Sequence, residues 1–214
     1  HLYCGMETGS DRVLQLINKG FDSNTVIQSG CLAKEADMIL SEFILLGIGG
    51  KEFSEENARK TADALNIIQP DFIRVHAVGF KPESMMWQLI QDGTISLQSE
   101  EEIVREQRLF LQCLKEMNSY YVNEHIVNLL LEVRGDLLSE KSQMLSAINR
   151  FLNLPPEERL LFAIGRRFNM FFFLEDLQKP NLRSQAQLYM DEIKKKNPNM
   201  DFAFLCNYIR QSQI

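Results

Sequence analysis

Apolar residues gather in three short blocks separated by stretches of helical spacing. The blocks cover residues 2–6, 38–48 and 72–78. The second is a dense run of Ile, Leu and Phe that ends at Gly47-Ile48-Gly49-Gly50, and the third is broken by Gly79 and Pro82. Between the first two, Val13, Leu14, Leu16 and Ile17 recur on one helical face; Ser10 or Asp11 suits the N-cap and Gly20 stops the run. Residues 23–35 and 54–68 also read as helices. Ser54 is expected to cap the latter, with Glu55 and Glu56 placed where negative charge suits the helix dipole. The apolar blocks recur about every 35 residues, the rhythm of successive strand–helix units in a parallel sheet. Their near-continuous apolar character predicts a sheet covered on both faces.

Beyond residue 98 the pattern is mainly helical. Ser99-x-x-Glu102 is a capping box opening a helix over 99–117, and residues 119–123 read as a fourth strand. Helices are then predicted over 124–134, 139–152, 156–177, 182–196 and 200–210, with breaks at Pro155-Pro156 and Lys179-Pro180. Residues 170–174, apolar on every side, read as core between helices. The expected fold is therefore α/β over 1–117, followed by a mainly helical region over 118–214.

Composition narrows the classes of function. At 45% hydrophobic and 24% charged, the 214 residues are those of a globular protein, not a disordered one. With 23 basic against 29 acidic residues, a net charge of -6 and no basic stripe, no nucleic-acid partner is expected. No apolar run reaches the roughly 18 residues of a membrane span. Cys4, Cys31, Cys113 and Cys206 are scattered, without metal-binding spacing, which points to a reduced protein and a cytoplasmic location. The chain opens with His1 directly before a strand, so it is expected to be a piece of a longer protein. Its first strand would then carry an unpaired edge that frays, is covered, or pairs with a second copy in a homodimer.

The segment Tyr3-Cys4-Gly5-Met6-Glu7-Thr8-Gly9-Ser10-Asp11, continuing through Val13, Leu14 and Ile17-Asn18-Lys19-Gly20, resembles a strand and helix of radical S-adenosylmethionine (SAM) enzymes. Phe43-Ile44-Leu45-Leu46-Gly47-Ile48-Gly49-Gly50 and residues 73–82 are similar to the family's next two strands. The resemblance implies the carboxyl-terminal half of a partial (βα)6 barrel of parallel strands. It also implies SAM and a [4Fe-4S] cluster in the full-length parent, reductive cleavage of SAM, and radical chemistry on an unknown small-molecule substrate. The family's CX3CX2C cluster loop is missing, so this chain alone is expected to retain neither group, to bind added SAM only weakly, and to be inactive. Further departures are Gly49 in place of a proline and Phe43 where some members carry a polar residue.

By the same resemblance, the SAM-binding residues are Glu7, Thr8, Ser10, Lys19, Gly47, Gly49, His76 and Val78. Glu7 would accept from the ammonium or the ribose hydroxyls, and Lys19 would meet the carboxylate. Gly47, Gly49 and Gly50 would let the backbone approach the ligand, and residues 76–80 would offer backbone contacts to the adenine. His76, read on its own, is a core histidine on a buried strand. Residues 123–135 with Gly165-Arg166-Arg167 look like the carboxyl-terminal extension of an uncharacterised branch of these proteins. There His125 is a candidate acid–base group, and Arg166 and Arg167 are candidates for gripping an anionic substrate. The alternative reading is a non-enzymatic module whose apolar helices bind a partner protein. No G-x-S-x-G, H-E-x-x-H or P-loop supports a hydrolase.

Overall fold

The structure is a computed structural model that describes residues 1–213. Strands β1 (Leu2–Glu7), β2 (Leu40–Leu46), β3 (Phe72–Ala77) and β4 (Tyr120–Val122) lie parallel in that order, and the short β5 (Gly135–Asp136) pairs antiparallel with β4. The helices are α1 (Asp11–Leu16), α2 (Ser23–Glu35), α3 (Ser54–Ile68), α4 (Met85–Gln91), α5 (Glu100–Cys113), α6 (Lys141–Leu152), α7 (Pro156–Arg167), α8 (Pro180–Lys196) and α9 (Phe202–Gln211). The fold is α/β, with the mostly parallel sheet and the strand–helix rhythm that the apolar blocks predict.

Several helix starts follow from local capping. The Ser10 hydroxyl accepts from the Val13 amide at 3.2 Å, and the Asp22 carboxylate accepts from the Thr25 amide at 2.8 Å. At α5 both halves of the Ser99–Glu102 capping box form. The start of α3 differs from expectation. Phe53 sits at its N-cap with no side-chain cap, and Ser54 instead donates to the Glu106 carboxylate at 2.7 Å. The helix α4, capped by Ser84, has no counterpart in the sequence reading.

Strand alternation divides the sheet into two unlike faces. On one, Leu40, Ile44, Leu46, Ile73, Val75 and Tyr121 are buried against α2, α3 and α5. On the other, Tyr3, Phe43, Phe72, Arg74, His76 and Tyr120 are half-buried or exposed, with Tyr3 56% accessible. The expectation of a sheet covered on both faces is therefore corrected: over β1 to β4 this second face is not sealed. The apolar density of β2 had concealed a period-2 alternation that β3, with Phe72, Arg74 and His76 against Ile73, Val75 and Ala77, displays openly.

Two predicted helices are also corrected. Residues 124–134 form a coil, because the carbonyl groups of residues 126–130 are taken by side chains, four of the five by residues distant in sequence. Arg166 donates to the carbonyls of Ile126, Asn128 and Leu129, Arg167 donates to that of Val127, and Asn123 donates to that of Leu130. Five successive carbonyls thereby find donors without a helix. Asn128 clasps β3 in turn, accepting from the Ala77 amide and donating to the Val75 carbonyl. The helix predicted over 156–177 ends at Arg167. Asn169 turns left-handed at φ 59°, and the Met170 and Phe171 amides both return to the Gly165 carbonyl. A Cβ on Gly165 would fall 2.2 Å from the Phe171 ring, so glycine permits this fold-back. Phe171 is buried, whereas Phe172 and Phe173 are exposed, so residues 170–174 are not the all-round core their composition suggested. A 3-10 helix, Leu174–Gln178, follows.

β4 and β5, beyond position 118, extend the same sheet, and one cluster of buried residues runs from Met6 to Cys206. Among the described residues no helix is long and apolar enough to cross a membrane.

Candidate functional site

The carboxyl end of β1 brings together two residues singled out in the sequence. The pairing of β1 with β2 slips between Gly5 and Glu7, and Glu7 turns left-handed at φ 63°. That turn folds the Glu7 carboxylate back over Gly5, where a Cβ would lie 2.7 Å from Glu7 Oε1. Lys19, just beyond α1, donates to the same oxygen at 2.6 Å. Both side chains remain partly accessible, at 27% for Lys19 and 20% for Glu7. The result is a carboxylate and an ammonium side by side at the mouth of the sheet.

Thr8 and Ser10 are buried in the turn that holds this pair. Thr8 Oγ1 accepts from the Ser10 amide, Ser10 donates to Glu56 at 2.6 Å, and the Gly9 amide donates to Thr61 on α3. A Cβ on Gly9 would sit 2.3 Å from the Lys60 carbonyl oxygen, so this turn is pressed against α3. Thr8 and Ser10 thus position Glu7 and leave no group facing outward. The glycine-rich turn after β2 is likewise filled by the protein itself. Beside Gly47 lie Gln98, Ile103 and Val78, beside Gly49 lies Phe53, and beside Gly50 lies Ile95. The expected open approach of a ligand to these glycines is corrected: Gly47, at φ 81°, makes the turn and donates its amide to Glu106. Burial pushes the Glu106 carboxyl up, and donors from Gly47, Ser54, Asn57 and Gln98 pull it back. Val78 packs on a second small core of Val13, Ile48, Phe80, Met86 and Ile95, and its amide extends the β2–β3 ladder to the Leu46 carbonyl.

His76 is not a residue of the helix-covered core. It lies on the open face, in edge contact with Phe43 (ring centroids 5.6 Å apart) and 4.5 Å from the ring of His125. Burial, together with the neighbouring His125 and Arg74, pushes His76 down to about 4, so it is neutral near pH 7. His125 sits in the coil after β4, not at the start of a helix, and its Nδ1 faces the Val127 amide at 3.3 Å. The two candidates, 49 positions apart in the sequence, are thus neighbours on one surface. That surface also carries a residue the sequence reading passed over. The Arg74 guanidinium lies 5.3 Å from the Tyr3 ring and 5.8 Å from those of Phe43 and Phe72.

Arg166 and Arg167 are each 1% exposed. Arg166 is consumed by backbone carbonyls, and burial lowers it to about 10. Arg167 makes a two-pronged contact with Glu100, at 2.8 and 2.7 Å. Neither presents its charge to a surface, so the expected grip on an anionic substrate gives way to a structural role. They hold the coil that carries His125.

A second carboxylate near the site has no precedent in the sequence reading. Glu42 of β2 stands opposite Cys4 of β1, is 1% exposed, and has no hydrogen-bond partner for Oε2. It borders a cavity of about 250 Å³ lined also by Met6, Phe21, Thr25 and Ser29. Burial, and secondarily Glu7, pushes its carboxyl up to about 8. Among the described residues no three His, Cys, Asp or Glu side chains are grouped to hold a metal ion, and all four cysteines are free. No protein-family model and no curated protein matches the chain.

Proposed function

We propose that the chain is the carboxyl-terminal half of a radical-SAM-type (βα)6 barrel, with the open sheet face as the barrel interior and the mouth of β1 as its SAM site. The Glu7–Lys19 pair is the observation that carries this reading. The amino-acid end of SAM is a zwitterion, and an adjacent carboxylate and ammonium are its charge complement. Gly5 leaves the room in which the Glu7 carboxylate folds back to Lys19; a Cβ there would lie 2.7 Å from Glu7 Oε1. A parallel sheet with an unsealed face, and with β1 paired only to β2, is consistent with half of a closed barrel. Bound SAM would supply a sulfonium. Glu7 would hold the ammonium, Lys19 the carboxylate, and the Thr8–Ser10 turn would keep both in register. The residues present do not fit a [4Fe-4S] cluster, since no cysteine triplet is assembled among those described. Reductive chemistry would need residues outside this chain.

Titration of labelled protein with SAM, followed by amide NMR, tests the reading. Saturable shifts at Glu7, Gly5 and Lys19 are expected, with affinity reduced about tenfold in E7Q, the loss of one charge-assisted hydrogen bond. An absence of saturable shifts around Glu7 would defeat it.

The free edge of β1 favours a second reading, an interaction module that pairs through that strand. Light scattering over a hundredfold concentration range is then expected to show a dimer, and Tyr3→Pro, which removes a backbone donor from the side of β1 turned away from β2, is expected to weaken it. A monomer throughout would dismiss this reading.

A further inference from the structure

We infer that the open face of the sheet binds an organic anion that joins a carboxylate to a planar ring, with Arg74 as the recognising cation. Arg74 lies on β3, inside the sheet, between β2 and β4. Its only hydrogen bond to the protein is a long one, from Nε to the Ser41 hydroxyl at 3.4 Å, and no carboxylate lies within salt-bridge distance among the described residues. Four of the roughly five N–H donors of a guanidinium are therefore left for something else. The contrast with the other inward-facing arginines is direct. Arg159 and Arg167 are paired with acids, and Arg166 is spent on carbonyls.

The surroundings select the ligand. Tyr3, Phe43 and Phe72 hold the guanidinium by cation–π contact and fix its plane. A fork held in this way meets a carboxylate through two parallel hydrogen bonds. The Tyr3 and Phe72 rings are stacked by His1, at 4.4 and 5.6 Å, and His1 Nε2 lies 3.0 Å from the same Ser41 hydroxyl; Phe43, and Tyr120 beside Phe72 at 6.5 Å, offer the remaining faces on which a planar group can stack. His76, two positions along β3 from Arg74, is neutral near pH 7. Glu7, the acid at the end of β1, lies against Lys19 and not against Arg74. One unpaired cation on a chain of net charge -6 matches a singly charged carboxylate better than a phosphate dianion, which ordinarily gathers several donors. The inference does not depend on SAM binding, because it uses neither Glu7 nor Lys19.

The test is a fluorescence and NMR titration with 2-aminobenzoate, compared with aniline, acetate and phenyl phosphate. Saturable binding of 2-aminobenzoate is expected, with a shift of the Arg74 Nε–H resonance and an affinity at least tenfold above that of aniline or acetate. In R74Q that advantage is expected to vanish while the SAM titration at Glu7 is unaltered. In R74K, which keeps the charge but loses the fork, affinity is expected to fall severalfold; this variant decides the matter if R74Q does not fold. Absence of saturable binding, undiminished affinity in the Arg74 variants, or tighter binding of phenyl phosphate would each overturn the inference.

Discussion

Replacing Glu100 with alanine is expected to destabilise the fold by about 3–5 kcal/mol, the range for removing one partner of a buried ion pair. Glu100 opens α5 and is 5% exposed. Arg167 at the end of α7 meets it at 2.7 Å, and Arg210 on α9 meets it at 3.2 Å, their side chains 0% and 2% exposed. Three helices remote in sequence are joined at one carboxylate. Its position at the start of α5, and that of Arg167 at the end of α7, also suit the two helix dipoles. Burial alone would push the Glu100 carboxyl up, but the two guanidinium groups reverse this and hold it below the usual range. Its contribution is therefore present above the ordinary carboxylate range and lost as pH falls through the folded value. Alanine leaves two buried cations facing each other, and Arg210 already has an Nε without a partner. The coil that carries His125 hangs from Arg167 through the Val127 carbonyl, so the open face is expected to loosen as well. Urea unfolding at pH 7 measures the effect. A loss below about 1 kcal/mol, within the range of exposed pairs, would show that the network does not hold these helices together.

The second large effect is a fall in stability with rising pH near neutrality, carried by Glu42. A carboxyl raised to about 8 when folded, against the 4.5 from which it starts, stays protonated in the native state while the unfolded chain has released its proton. Its contribution is complete below the unfolded value and declines as pH rises toward the folded one, by roughly 1.4 kcal/mol per unit. His76 acts in the opposite sense. Lowered to about 4 from 6.5, it costs stability as pH falls below 6.5. The two oppose each other below 6.5, so the window from 6.5 to 8 is free of His76, and there Glu42 is expected to cost roughly 2 kcal/mol. Glu42→Gln cannot ionise and keeps the shape. It is expected to match the parent protein near pH 5 and to exceed it by a few kcal/mol above pH 8, on the order of the full shift. Glu106, also raised by burial, keeps its share in both proteins, so their difference reports Glu42 alone. Equal pH slopes in the two proteins would rule the assignment out.

The residues argue plainly for how much of this was readable in advance. Ser10, and Ser99 with Glu102, announce their helices because a cap is a contact within three positions, and three positions are fixed by the chain itself. The strand–helix rhythm and the parallel sheet follow equally from local spacing. Glu7 and Lys19 were both marked as candidate ligands, but their pairing was not foreseen. It depends on a left-handed turn at a residue that is not glycine. Arg74 went unmarked because its partners, Tyr3, Phe43 and Phe72, come from three strands, and only sheet order makes them neighbours.

The sequence by itself determined where most helices and strands lie, because capping, periodicity and turn residues act over a few positions. Only the tertiary structure decided that residues 124–134 are not a helix, since the groups that claim their carbonyls, Arg166 and Arg167, come from α7, roughly 40 residues onward in the chain. It alone decided which face of the sheet stays open, that the glycines after β2 are filled from within, and that His76 meets His125. Those outcomes rest on burial and on donors satisfied across long separations, and no local pattern encodes which distant group will arrive.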